Sequence, residues 1–443
     1  MEIQLNYIHL LLLLVPVIIL YRFLMYKIYD QLERWYVSLI YWGLYFYGGI
    51  GASAKTVSLT YTIYLLIFLT VFVFCYRLRY AIPAMVRHEV RSEFYLKNRN
   101  FFSQRVSAPI FIGLYLLVSF VPLLYPKFNL ISLVNPPAPN VVEAFRKTVD
   151  TGTQEMDALS KIIYYLQLLL LPFFYVSLYR FTKKPWILLL LLCLPLYFTY
   201  CATNYVGRGM VLMALMLWFC VVYYFNKKWR KPLVLGSIFI LPVLLIFFFV
   251  YSIARVGGDT EDAGTMSAII AQLFYSEINF PESFADVVKS GQHVNFSGFI
   301  VWLVTLPVPK FLVPGSLNVP MINFELSEIV LGTSRYEDYF WVKLTGYISE
   351  SYYVFGKYFF WVEAVMVAWL AKLLFYMLRA IKQSEVLILY VAIQFCFMFS
   401  RAGLGAVMPA FLNGFLALYA YILLKIYIAK RSAHSITLPQ TST

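Results

Sequence analysis

Three arginines stand beside glycine or small residues at the ends of apolar runs: Arg208 in Asn204-Tyr-Val-Gly-Arg-Gly209, Arg255 in Ile253-Ala-Arg-Val-Gly-Gly258, and Arg401 in Phe399-Ser-Arg-Ala-Gly403. A guanidinium at such a place costs free energy unless something anionic answers it. Its planar fork suits phosphate, and neighbouring glycines let backbone approach a ligand closely. Three of them on one face suit a diphosphate. Charge-assisted, often bidentate bonds would hold it and stabilise negative charge growing on a leaving group. The plainer reading of Arg208 is an interfacial arginine whose head reaches lipid phosphates.

The acids concentrate between Ala254 and Glu350, which hold half of the 22 acidic residues in the chain. Glu350, in Ile348-Ser-Glu-Ser-Tyr352, lies where this stretch returns to an apolar run through Tyr347. A carboxylate there is placed to take a proton from a sugar hydroxyl or to hydrogen-bond two of them; alternatively it partners a helix N-terminus. Glu277, Glu282 and Asp286 are looser candidates for binding sugar hydroxyls, and Tyr347 is a further substrate-binding candidate. Arg335-Tyr-Glu-Asp338 reads either as a further binding element or as a surface ion cluster. Glu363, inside the run FFWVEAVMVAW, is an intramembrane carboxylate, paired structurally or relaying protons. The four histidines are scattered, with no HExxH, paired-His or DxD element, so no metal and no cofactor is expected.

These residues have to be positioned by a membrane-embedded scaffold. Of 443 residues, 61% are hydrophobic and 13% charged, well outside soluble composition, and apolar stretches of about 20 residues recur. The runs are continuous rather than alternating, which excludes an outer-membrane barrel. The first run, which includes Pro16, has no basic segment before it and no small-residue cleavage site, and reads as a retained helix. The five cysteines fall in or at the ends of apolar runs and read as small buried hydrophobes. The net charge of +14 comes from basic clusters in short loops, a topology signal rather than a nucleic-acid surface.

The fold expected is all-α and polytopic, with about 11 transmembrane helices near 7–25, 36–53, 60–78, 108–125, 161–180, 185–202, 208–225, 232–253, 354–376, 385–400 and 404–426. Residues 1–253 then carry spans one to eight. Residues 254–353 form one large outer loop, with an interfacial or re-entrant helix at 297–313. Residues 354–431 carry the last three spans, and 432–443 a tail. With the spans alternating, Arg77 to Arg105 and the other strong basic clusters fall on one side, which is therefore cytoplasmic. This puts the N-terminus and the large loop outside and the C-terminus inside. Tyr and Trp crowd the span ends, as interfacial belts do.

In order along the chain, Gly207-Arg-Gly-Met-Val-Leu, Ala254-Arg-Val-Gly257, Pro281-Glu282, the return bearing Glu350 with Phe355-Gly356, and Arg401-Ala-Gly resemble the O-antigen polymerase (Wzy-type) family of inner-membrane glycosyltransferases. The likeness covers roughly residues 200–411. It implies GT-C-type architecture and a metal-independent, inverting glycosyl transfer on the periplasmic face. Donor and acceptor would both be oligosaccharide repeat units on undecaprenyl diphosphate, and undecaprenyl diphosphate would leave. By the same likeness Arg208, Arg255 and Arg401 would hold diphosphates, Glu350 or Glu282 would assist the acceptor, and a chain-length regulator of the Wzz type would be a partner beside the lipid bilayer. Two other readings stay open: an O-antigen ligase of the same architecture, for which His293 is the loop histidine, and a lipid-linked oligosaccharide flippase or transporter, which would favour short loops and several midplane charges.

Overall fold

The computed structural model describes residues 7–26, 28–52, 59–78, 108–120, 129–137, 184–203, 206, 208–239, 280–294, 296–305, 313–314, 322–337, 342–380, 385, 388–405 and 407–408. Among these the regular structure is entirely helical. In chain order the elements used below are α1 (Tyr7–Met25), α2 (Gln31–Ala52), α3 (Leu59–Arg77), α4 (Ala108–Ser119), α5 (Pro185–Thr203), α6 (Arg208–Phe225), α7 (Phe280–Ser290), α8 (Phe296–Thr305), α9 (Ile322–Leu331), α10 (Tyr347–Phe359), α11 (Trp361–Ala380) and α12 (Ile388–Gly405).

Four described helices, Leu59–Arg77, Pro185–Ala202, Trp361–Arg379 and Ile388–Gly405, are long and apolar enough to cross a membrane; the bent pair Met210–Tyr224 and Lys227–Phe239 would make a fifth. The expected runs 161–180 and 404–426 lie wholly or mostly outside the described residues. The exposed surface of the described helices carries many large apolar side chains, with Val15 61% and Trp186 62% exposed. Polar groups turn inward instead. In hydrocarbon there is little hydrophobic drive between helices, so close packing and hydrogen bonds must join them.

Tyrosine supplies many of those bonds. The Tyr36 hydroxyl donates to the Ala371 carbonyl (3.0 Å), Tyr41 to Val17 (2.7 Å), Tyr115 to Leu191 (2.7 Å) and Tyr347 to Leu44 (3.0 Å). Each joins two helices through a carbonyl lone pair, which can accept a second bond. These tyrosines are therefore buried staples, and the expected interfacial belts account for only part of the aromatic content.

Contacts at the helix ends define two opposite ends of the bundle. At one end the Arg77 guanidinium lies over the Phe23 ring (3.7 Å), Arg379 pairs with Asp30, and the Lys372 ammonium caps α3 by donating to the Tyr76 and Leu78 carbonyls (2.7 and 2.8 Å). A cation at a helix C-terminus opposes the negative end of its dipole. The Tyr224 hydroxyl, at the end of α6, bonds Glu385 between α11 and α12 (3.0 Å). At the other end the Tyr64 hydroxyl donates to the Lys357 carbonyl (3.3 Å), and Tyr347 reaches Leu44 in the second half of α2. Helices α4 and α5 form a flank: Phe120 stacks on Phe198, Trp218 of α6 donates to the Pro185 carbonyl (2.7 Å), and the Tyr200 hydroxyl donates to the Pro137 carbonyl (2.5 Å).

The described part of the expected large loop carries three short helices and the start of a fourth, joined by irregular segments such as 291–294, 332–337 and 342–346. Helices α7, α8 and α9 pack on α10, with Phe299 of α8 edge-on to Phe355. The re-entrant piece expected at 297–313 contains α8, which ends at Thr305; residues 306–312 lie outside the described residues. The helix expected to begin at 354 differs more. Gly356 leaves helical geometry (φ 72°, ψ −179°), so the apolar stretch divides into α10 and a span that starts at Trp361.

Candidate functional site

The site is built on α10. Its N-cap, Gly346, has φ 78°, and a Cβ there would meet the Phe280 ring at 2.8 Å, so only glycine fits the turn. The Gly346 N–H donates to the Arg401 carbonyl (2.9 Å), which ties the start of α10 to the end of α12. One turn on, Tyr347, Ile348, Ser349, Glu350 and Ser351 are all buried. The Ser349 hydroxyl donates to the Thr345 carbonyl (2.7 Å), and the one hydroxyl hydrogen of Ser351 lies between the Tyr347 carbonyl (2.8 Å) and the Glu363 carboxyl, so small polar residues fill a face that meets neighbouring backbone.

That backbone is α12 at its break. Gly403 has φ 61°, and the two amides after it go to carboxylates. Gly405 N–H donates to Glu350 Oε1 (2.8 Å), and Leu404 N–H to Glu363 Oε1 (3.3 Å). Ser351 Oγ donates to Glu363 Oε2 (2.6 Å). Glu350 and Glu363 are both 0% exposed, and Glu350 Oε2 has no hydrogen-bond partner. Burial first, then the neighbouring Glu363 carboxylate, push the Glu350 carboxyl well above the usual carboxylate range, against the pull of the Gly405 and Leu404 amides. The chain matches no protein-family model, no curated protein and no solved structure. What the site does therefore has to be argued from this geometry.

Three sequence expectations change. Glu350 does not face an acceptor: it is covered on every side and holds the Gly403–Gly405 turn, because α10 presents its small polar face to backbone rather than to solvent. Tyr347, expected to bind substrate, is 1% exposed, its ring packed on Phe68 (4.8 Å) and Phe399 (5.3 Å) and its hydroxyl on Leu44. Glu363 occupies the first turn of α11 rather than the depth of a span, because that helix starts at Trp361.

Arg401 is brought to this site by its backbone, with its guanidinium 4.7 Å from the Phe397 ring centre and half-buried. Arg208 opens α6, but its side chain, together with all of Arg255 and Glu277, lies outside the described residues. Glu282 and Asp286 share the half-buried face of α7, opposite Phe280, Phe284 and Val287, which pack inward. Arg335 forms the ion-cluster alternative: it binds Glu328 of α9 with its guanidinium and its backbone N–H (2.8 Å). This holds the Glu328 carboxyl below the usual range, chiefly through the Arg335 side-chain hydrogen bond. Close by, the Tyr353 hydroxyl donates to Glu325 (3.0 Å), whose carboxyl is nonetheless raised by burial. His293 is exposed, its ring 5.2 Å from Tyr352. Among the described residues no group of three or more His, Cys, Asp or Glu could hold a metal ion.

Ser351, Asn323, Gly403 and Gly405 were missed as site residues. The Gly-Leu-Gly after Arg401 carried the signal, since two glycines so close at a span end mark backbone approached by something else.

Proposed function

We propose that the chain is a membrane glycosyltransferase of the polysaccharide-polymerase kind, joining oligosaccharide repeat units carried on undecaprenyl diphosphate at the outer face of the bacterial inner membrane. The observation that supports this best is the anchoring of Arg401. Its carbonyl is tied to Gly346, its helix end is held by two buried carboxylates, and it stands at the end of the bundle opposite the cluster of Arg77, Lys372 and Arg379. A guanidinium fixed at that level suits a lipid diphosphate whose tail stays in the bilayer and whose sugars extend among α7, α9 and α10. Arg208 and Arg255 complete the proposed diphosphate set.

A diphosphate leaving group is already activated. Holding donor and acceptor in line, with positive charge at the departing oxygen, supplies much of the rate without a covalent nucleophile. With Glu350 enclosed, Glu282 on the half-buried face of α7 is the acid assigned to the acceptor hydroxyl. Asp286, one turn further along that face, and Arg335 are assigned to sugar binding.

One observation favours a lipid-linked oligosaccharide carrier as second reading. Positive-φ glycines interrupt the chain at two places in this region, Gly356 before α11 and Gly403 in α12, and ion-coupled carriers build their sites from interrupted helices. Reconstitution of the purified chain with a synthetic undecaprenyl-diphosphate repeat unit, in the presence of chelator, separates the two. A ladder of product lengths supports the polymerase; flipping of labelled lipid without a ladder supports the carrier, and a single transfer to a lipid A-core acceptor the ligase.

A further inference from the structure

Each oxygen of Glu363 has a partner, the Leu404 amide on Oε1 and, on Oε2, the Ser351 hydroxyl that it shares with the Tyr347 carbonyl, while Glu350 has a partner on Oε1 alone. Both side chains are wholly enclosed. Two neighbouring carboxylates with only neutral dipoles around them would leave buried negative charge uncompensated, which costs far more than those hydrogen bonds return. The charge has to be reduced by something small. A Cβ at Gly405 would lie 3.1 Å from Glu350 Oε2, and one at Gly403 would overlap the carboxylate, so the free oxygen rests against backbone with no room for a coordinated metal ion. Asn323 Oδ1 approaches the same glycine, 2.8 Å from that Cβ position, and offers an acceptor beside the free oxygen.

We propose that Glu350 and Glu363 hold one proton between them, and that this proton is what allows α10 to dock on the broken end of α12. The proton comes from water at the outer face and rests on the Glu350 oxygen that lacks a donor. When it leaves, two like charges meet across the contact, and α10 lifts from the Gly403–Gly405 turn that carries Arg401. The other ionisable groups on elements packed against α10 do not replace it. Those of α3 are Tyr61, Tyr64, Cys75 and Tyr76, with Arg77 at its far end; α2, which Tyr347 reaches, has Tyr36, Tyr41, Tyr45 and Tyr47, with Glu33 and Arg34 at its start; α7 offers Glu282, Asp286 and Lys289; on α9 Glu325 is engaged by Tyr353 and Glu328 by Arg335; α8 has none; α11 adds Lys372, Tyr376 and Arg379 toward the far end; and α12 brings Tyr390, Cys396 and Arg401, whose guanidinium lies over Phe397. The inference is independent of whether the chain polymerises or carries its lipid.

The test uses the full chain in lipid nanodiscs. Infrared spectra across a pH series should show a protonated-carboxyl C=O band at neutral pH that is lost in Glu350→Gln. Hydrogen exchange of the 348–352 amides, corrected for intrinsic rate, should lose protection about tenfold per pH unit once the pair ionises, the slope expected for a single proton. Glu350→Gln should stay protected throughout. An unchanged carboxyl band in Glu350→Gln, or wild-type protection that is flat up to pH 10, overturns the proposal. The wild-type exchange series decides alone if the variant does not fold.

Discussion

Gly346 and Arg401, 55 residues apart in sequence, are joined by a backbone hydrogen bond of 2.9 Å that uses nothing of the arginine side chain. The anchor of α10 and the guanidinium of Arg401 are thus separable by mutation.

Arg401→Ala should therefore leave the docking of α10 and the thermal midpoint nearly unchanged, while lowering the proposed polymerisation rate by about a hundredfold or more, as loss of a transition-state charge partner does. Arg208→Ala and Arg255→Ala should act in the same direction. Product ladders and melting curves on the same preparations check this. Normal ladders from all three variants would remove the arginine set from the site.

Gly403→Ala should destabilise the chain by about 1–3 kcal/mol, since it places a side chain at φ 61° and against the Glu350 carboxylate. Gly113→Ala in α4, where an added Cβ meets nothing within 4 Å, serves as control and should be neutral or slightly stabilising. Loss of monodisperse protein on heating, compared across the two variants, reads the difference.

Lys372→Met removes the cap on the α3 carbonyls of Tyr76 and Leu78 and strips Glu33, buried nearby, of its cation. Leaving a buried charge uncompensated costs about 3–5 kcal/mol. Glu33→Gln in the same chain should recover much of that loss. A double-mutant cycle on unfolding midpoints measures the coupling, and strictly additive effects would show that the two groups do not interact.

Glu328 gives a pH dependence of opposite sign to the one expected at Glu350. Its folded carboxyl titrates below its unfolded value, so the clamp on Arg335 contributes stability above the ordinary carboxylate range and loses it as pH falls through the folded pKa. Both partners are partly exposed, so the effect is small and local. Exchange of the Arg335 amide, which donates to Glu328, should accelerate on acidification after correction for intrinsic rate, and Glu328→Gln should show that faster exchange already at neutral pH.

The spans were legible where sequence and environment speak with one voice. Leu59 to Arg77 is an unbroken apolar run closed by a cation, and the helix matches it. The end of α12 was legible too, because Arg-Ala-Gly-Leu-Gly interrupts an apolar run and Gly403 does turn there. Gly356 misled, since Tyr-Val-Phe-Gly-Lys-Tyr-Phe-Phe-Trp reads as continuous hydrocarbon, while the chain breaks at the glycine and shifts Glu363 to a helix start. The importance of Glu350 could be read from its neighbours; its enclosure could not. Its partners lie on α12 and beyond the reach of any local pattern, and only packing reveals that a carboxylate near a membrane surface points at backbone rather than at water.

The distance in sequence between Glu350 and Gly405 also sets an order of events during synthesis. Glu350 leaves the ribosome 55 residues ahead of the amide that receives it, and Glu363 41 residues ahead of Leu404. At about 5–20 residues per second that interval lasts several seconds, during which neither acid has the α12 amide that receives it. The short helix bearing Glu350 can seat only after α12 has been threaded to its end. Completion of this end of the bundle is thus among the last steps of the region's assembly, and a chain stalled before Gly405 would lack the amides that enclose its two acids.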